Sequence, residues 1–439
     1  MKILHSVLTG ACLLAAGMLC AQKVSISTDK PEGVYSTKTD KTVTFTIARL
    51  DKTALKPGEK IVCAVWRDGR EDPISVSFSA ELWNAGEKFQ IPAPVFKGWT
   101  RLIVRRADAA GKTRVIASQG VMADVENLTA ATPEPADFDA FWADQIGRMP
   151  KDMKVELKKV EMKAGIVGYN FKIDCGDGNF AYGGIAWPEN AKPKSLPAIV
   201  QFSGASTFAI KGPSDYYAHY GIHAVMCPHS IEVGRDAKYN AEMRNSLQGY
   251  SHRNADDREK YYMKGMILRV VRTLQYIESL PVWDGKTLIT HGESQGGFQA
   301  IVGAALDPKV SFCLAMVPAM SEHLGYLKDR VNGWPHVVPD SAAGRAAMDP
   351  AKLKKLEASL PYFDNVNFAK RIRCSAWIST GLNDTTCPPS GVAAVFNALP
   401  KDNADKHFYI APKAGHDAGY AGVVSTLHSL IYPPEGPAK

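Results

Sequence analysis

The chain is poor in the features that mark several functional classes. No Lys/Arg-rich block of five to eight residues occurs, and 52 basic against 45 acidic residues leave a formal net charge of only +7. A nucleic-acid or membrane-surface partner therefore has no electrostatic footprint. Neither a CxxC pair nor an HExxH helix is present, so no metal site is signalled and no cofactor is expected. No apolar run is long enough to span a membrane. Internal repeats and low-complexity segments are absent, which excludes solenoid and collagen-like architectures. What the chain does have is 439 residues, 45% of them apolar and 22% charged, enough for two or three domains with cores of their own.

The first residues read as a targeting segment. Lys2 supplies a positive end, and an apolar run from Leu8 to Leu19 leads to Cys20-Ala21-Gln22. This pattern predicts a signal peptide over residues 1–21 and an exported protein, periplasmic or secreted. A lipid-anchored start at Cys20 is the rival reading, weakened by the bulky Leu19 before it. Six cysteines follow the segment: Cys63, Cys175, Cys227, Cys313, Cys374 and Cys387. Their scattered spacing suits buried free thiols in a large core better than a disulfide framework.

Residues 22–125 carry short alternating runs. Val43, Phe45 and Ile47 alternate with threonines, and Ile74, Val76 and Phe78 with serines, between turn-formers such as Lys56-Pro57-Gly58. This predicts an all-β sandwich of the immunoglobulin-like kind. The Pro-rich Thr132-Pro133-Glu134-Pro135 marks a change of composition. From residue 130 to 439, β-rich runs alternate with helical ones. Pro197–Phe202, Ile222–Cys227, Thr287–Thr290, Val310–Val317, Ser375–Ser379 and His407–Ile410 read as strands. Asp257–Leu280, Gly296–Leu306 and a closing segment over 422–431 read as helices. The alternation predicts an α/β domain on a doubly wound, mostly parallel sheet.

The chemistry concentrates at Gly292-Glu293-Ser294-Gln295-Gly296, a G-x-S-x-G between a predicted strand and a predicted helix. In that context a serine sits on a sharp elbow, and side chains at the glycine positions would collide across the turn. A serine hydroxyl needs a base at neutral pH. The order Ser, acid, His is completed by Asp384 and His416, each in a loop after a strand. Asp417 is the nearest rival acid, but adjacent side chains point apart. The backbone N–H of Gln295 and that of Ala205, in the loop Ser203-Gly204-Ala205, are the candidate oxyanion donors. His229 and Trp334 are candidate substrate contacts, His229 set against an ordinary structural histidine. Gly176-Asp177-Gly178-Asn179-Phe180-Ala181 fits a nucleotide-binding pattern, but a strand follows it and it reads as a hairpin turn.

Gly292-Glu293-Ser294-Gln295-Gly296-Gly297 resembles the serine motif of the acetyl xylan esterase/cephalosporin C deacetylase family. Four further stretches are similar to that family: Pro135–Trp142, Tyr362–Ile372, Gly381-Leu382-Asn383-Asp384 with Cys387-Pro388-Pro389-Ser390, and Ala414-Gly415-His416-Asp417. The resemblance covers roughly residues 130–432 and leaves the sandwich outside. It implies an α/β-hydrolase that removes acetyl groups from xylo-oligosaccharides and other small acetylated compounds, with Ser294 as nucleophile, Asp384 as acid and His416 as base. It also implies homo-oligomers, since family members often form rings, although an added domain stands in the way of that assembly. Two departures stand out. Cys227-Pro228-His229-Ser230 occupies the place of the family's Arg-Gly-Gln, and Ser203-Gly204-Ala205 that of its His-Gly-Tyr. The expected activity is that of a serine esterase on acetylated carbohydrate. Another serine hydrolase of this fold, acting on aryl esters or peptides, is the first alternative. A non-catalytic carbohydrate-binding protein is the second.

Overall fold

The computed structural model describes residues 23–68, 70–205, 212–403 and 405–417, together with 426, 429 and 430. The predicted signal peptide and most of the predicted closing helix lie outside the described residues.

Eight strands come first: β1 (Val24–Thr28), β2 (Val34–Tyr35), β3 (Thr42–Arg49), β4 (Lys60–Arg67), β5 (Arg70–Ser79), β6 (Lys88–Pro94), β7 (Gly98–Ala107) and β8 (Thr113–Ala123). They form a three-stranded sheet, β1-β3-β6, and a five-stranded sheet, β2-β8-β7-β4-β5. Alternation decides which side chains face which way. Val43, Phe45 and Ile47 of β3 are fully buried and share one core with Ile61, Cys63 and Val65 of β4 and with Leu102 and Val104 of β7. The residues between them point outward, and on β7 and β8 that outer face includes Trp99, Arg101, Gly120 and Met122.

The second unit is built on a nine-stranded mixed sheet. Its strands are β9 (Val155–Val160), β10 (Ile166–Asp174), β11 (Phe180–Pro188), β12 (Leu196–Phe202), β13 (Ile222–Met226), β14 (Trp283–Glu293), β15 (Phe312–Met316), β16 (Ser375–Gly381) and β17 (Lys406–Ala411). The order is β17-β16-β15-β14-β12-β13-β11-β10-β9. The six strands from β17 to β13 are parallel, as the alternating pattern predicts. The remaining three are antiparallel and are joined in part by the Gly176–Ala181 hairpin. Helices Tyr262–Ser279, Gln295–Leu306 and Pro389–Ala398 bury apolar faces against it. The first starts several residues later than its spacing predicts, because residues 254–260 form turns. All six cysteines of the described residues are free, five of them buried.

The two units touch at the carboxyl edge of the parallel strands. Trp99 donates its indole N–H to the Leu382 carbonyl at 2.8 Å, and the Gly120 N–H donates to Asn383 Oδ1 at 2.8 Å. Trp99, Met122, Leu128, Leu382 and Ala393 form a separate apolar cluster across this contact. Gln119 donates to the Pro412 carbonyl and accepts from Lys413. Gly120 has to be glycine: a Cβ there would lie 1.8 Å from the Leu382 carbonyl oxygen.

Candidate active site

Strand β14 runs directly into Ser294, and helix Gln295–Leu306 begins directly after it. Ser294 has φ 56° and ψ −119°, a region that L-residues rarely occupy. Two glycines make the turn sterically feasible. A Cβ on Gly292 would come within 2.4 Å of the Gly296 backbone, and one on Gly296 within 2.2 Å of the Phe202 carbonyl oxygen. The Ser294 carbonyl accepts the N–H of Ala319, and its own N–H donates to Met316, so the elbow is held from the neighbouring strand as well.

Asp384 follows β16 and His416 follows β17. Asp384 is fully buried. Its Oδ1 accepts the backbone N–H groups of Thr386 and Cys387 at 2.8 and 2.9 Å, and its Oδ2 lies 2.9 Å from His416 Nδ1. Among the described residues, that contact leaves Nε2 as the imidazole's free nitrogen. Burial by itself would lower the His416 pKa. The hydrogen bond and charge of Asp384, with Glu293 and Asp417 nearby, outweigh it and hold the imidazole above its ordinary value of 6.5. Asp417 is exposed and is not the imidazole's hydrogen-bond partner. Cys387 lies against the whole group. Its thiol is within hydrogen-bonding reach of the Ser294 side chain, and it stands within 4.8 Å of the nearest Asp384 and His416 atoms. Burial pushes the thiol well above its ordinary pKa, and Asp384 is already engaged by two N–H groups and an imidazole. The trio therefore suits proton handling better than cation binding.

The oxyanion side is assembled from β12 and the helix after Ser294. The Gln295 N–H is the first of that helix, one of the N–H groups that helical geometry leaves without an internal acceptor. The loop Ser203-Gly204-Ala205 follows β12, whose Phe202 is in register with Gly292. A Cβ on Gly204 would fall 4.0 Å from the Ser294 Cβ, so this loop lies against the serine. Gln299 fixes it by donating its amide to the Ser203 carbonyl at 3.1 Å and to the Gln295 carbonyl at 3.1 Å.

His229 sits beneath the site. It is fully buried, bonded through Nδ1 to the Tyr262 hydroxyl at 2.8 Å and packed edge-on to Tyr250. It does not offer a surface to substrate. Tyr250 in turn donates to the Gln295 side-chain oxygen at 2.5 Å. His229 thus packs on the tyrosine that holds the Gln295 side chain. Trp334 is half-buried, and its carbonyl accepts the Met320 N–H at 3.0 Å, next to the segment bonded to Ser294. Tyr250 and Gln299 were not singled out by the sequence. Each reaches a partner distant in the chain, Tyr250 to Gln295 and Gln299 to Ser203.

A mixed, mainly parallel sheet, a serine on a strained elbow, and an acid and a histidine on successive later strands define an α/β-hydrolase. Comparison with known proteins agrees. The chain belongs to the acetyl xylan esterase family, whose profile (Acetyl xylan esterase, AXE1) matches residues 121–426. It is 34% identical over 300 residues to acetyl esterase Axe7A of Xylanibacter ruminicola, a match covering 66% of this chain and 65% of that protein. The chain thus spans about 65% of that relative's length. Acetyl xylan esterase 1 from Thermoanaerobacterium sp. JW/SL YS485 shares the fold with a TM-score of 0.58 at 22% identity, covering 70% of this chain and 98% of that one. The acetyl xylan esterase from Paenibacillus sp. R4 is similar, with a TM-score of 0.57 at 22% identity over 69% and 96% of the two chains. The family match begins inside β8, so nearly all of the first two sheets lie outside it.

Proposed function

We propose that this protein is an exported serine esterase that removes acetyl groups from acetylated xylan fragments or similar small acetylated carbohydrates. The observation that carries the reading is the buried Asp384 bonded to a half-buried His416, with a strained Ser294 at the end of β14, within a family of acetyl xylan esterases. In this reading the Ser294 hydroxyl oxygen bonds to the acetyl carbonyl carbon while His416 Nε2 takes its proton. The N–H groups of Gln295 and Ala205 stabilise the resulting oxyanion. The carbon–oxygen bond to the sugar then breaks, and His416 returns the proton to the departing hydroxyl. Water, activated by the same imidazole, hydrolyses the acetyl–Ser294 ester and releases acetate. The first two sheets form an immunoglobulin-like sandwich over residues 22–125, and residues from 130 onward form the catalytic domain. The shared core of those sheets supports the division.

The test is acetate release from acetylated xylo-oligosaccharides by the wild type and Ser294→Ala, beside a peptide and a longer-chain aryl ester. The expected result is release by the wild type and a loss of at least about 10³-fold in the variant. Equal release by both proteins removes Ser294 from the mechanism, and cleavage of only the peptide or the long ester removes the substrate class.

A further inference from the structure

The outer face of the five-stranded sheet carries more than the contact with the acid loop. Across three strands, Trp66 stands opposite Arg101, and Arg101 opposite Gly120. Alternation puts all three on the side facing the catalytic unit. Gly120 abuts Leu382, whereas the Trp66–Arg101 end of the row stays open. Between it and the segment 330–342 lies a cleft of about 660 Å³, well within the range of small-molecule sites. Thr385, the residue after Asp384, forms part of its wall.

The charged groups around this cleft are not all paired. Arg330 is buried and paired with Glu322, and it also donates to the Thr129 carbonyl. Asp340 accepts from the Asn332 N–H and faces His336 at 3.2 Å. Burial raises the Asp68 pKa to about 7, and its carboxyl accepts from Ser390. Arg101 has no carboxylate partner among the described residues. Its guanidinium lies 5.2 Å from the Trp99 ring centre, half-buried beside Arg105, a neighbour of like charge. The Trp66 indole N–H and the Arg101 Nε–H are shielded from water, and neither has an acceptor among the described residues. The wall thus brings together aromatic rings, N–H groups without acceptors and one cation with no carboxylate of its own.

We propose that this cleft is a second carbohydrate subsite, one that takes a uronate, a glycosyl unit bearing a carboxylate. Its place beside the acid loop rests on the deacetylase reading, but its binding chemistry does not. The Arg101 guanidinium pairs with the sugar carboxylate, a match of planar donors to planar acceptors. The Trp66 ring offers an apolar surface to the sugar's C–H groups. A carboxylated branch held here directs the enzyme towards acetylated chains that carry such branches.

The probe is methyl glucuronoside, with methyl glucoside as the uncharged control, titrated into full-length Ser294→Ala protein by NMR or calorimetry. Saturable binding of the glucuronoside, at least tenfold tighter than the glucoside, is expected. Adding Arg101→Ala should weaken it by tenfold or more, and Trp66→Ala should weaken both ligands, with the melting temperature confirming that each variant is folded. No binding, equal binding of the two sugars, or binding indifferent to Arg101→Ala overturns the proposal. In a separate arm, the wild type should deacetylate glucuronate-branched oligosaccharides with a lower KM than unbranched ones, and Arg101→Ala should erase the difference. If neither oligosaccharide loses acetate while the glucuronoside still binds, the deacetylase reading fails and the subsite stands.

Discussion

Gly120→Ala tests whether the N-terminal sheets hold the acid loop in place. The added Cβ would lie 1.8 Å from the Leu382 carbonyl oxygen and 2.6 Å from Trp99 Nε1, where real contacts stay above 3.0 Å. The sheet and the loop must therefore part by more than an ångström. Two hydrogen bonds go with that motion, Trp99 to Leu382 and Gly120 to Asn383, each 2.8 Å in the native protein. Each is worth about 1 kcal/mol, and a buried partner left unsatisfied costs about 1–3 kcal/mol more. With one partner left unsatisfied, a total destabilisation of about 3–5 kcal/mol follows, seen as a lowered melting temperature. Asp384 comes directly after these residues, and a misplacement of about 1 Å in a catalytic constellation costs about 10²-fold in rate. The assay is kcat and KM on 4-nitrophenyl acetate across pH. The expected outcome is a kcat reduced roughly 10–100-fold at nearly constant KM. The acidic limb of the kcat/KM profile should also move down towards the ordinary imidazole value, since the Asp384 bond raises the His416 pKa. A variant that melts early but keeps wild-type kcat and the wild-type limb would refute the reasoning and leave the sheets as a mere appendage.

Three further outcomes are expected. Asp384→Asn should lower kcat by about 10⁴-fold, because the wrong imidazole tautomer is favoured, and its acidic limb should shift down in pH. Tyr250→Phe leaves the buried Gln295 oxygen without its donor. It should cost about 1–3 kcal/mol in a denaturant melt, and a kcat unchanged by it would mean that the Gln295 side chain does not help position the adjoining backbone. Asp68 has its folded pKa raised by burial from 3.8 to about 7, so its contribution to stability is complete below about pH 4 and lost as the pH rises through 7. Asp68→Asn should therefore melt higher than the wild type at pH 8 and show less advantage at pH 5. An equal offset at both values would remove Asp68 as the cause.

Much of the site was legible because the signals that mark it are local. The glycines around Ser294 answer to clashes within five residues, and Asp384 and His416 each stand a few residues past a strand that its own composition announces. The alternation of Val43, Phe45 and Ile47 likewise announced a buried strand face. The hairpin turn at Gly176–Ala181 was legible, but the extent of the antiparallel strands β9 to β11 was not, because strand pairing leaves no mark in a single strand's composition. Nothing local decides between the two readings of His229, because a lone histidine carries no sign of its burial. Tyr250 and Tyr262, which enclose it, become its neighbours only when the chain folds.

The sequence by itself determined the elbow, the order of Ser294, Asp384 and His416 along the chain and the family resemblance, since each rests on residues close together in the chain. Tertiary structure decided how the parts meet. Trp99 and Leu382 are 283 residues apart, and Gly120 and Asn383 are 263 apart. No periodicity spans such distances. Sheet register turns Gly120 towards the acid loop and leaves Trp66 and Arg101 beside an open cleft, and register is fixed only when the strands pair and bury their other face.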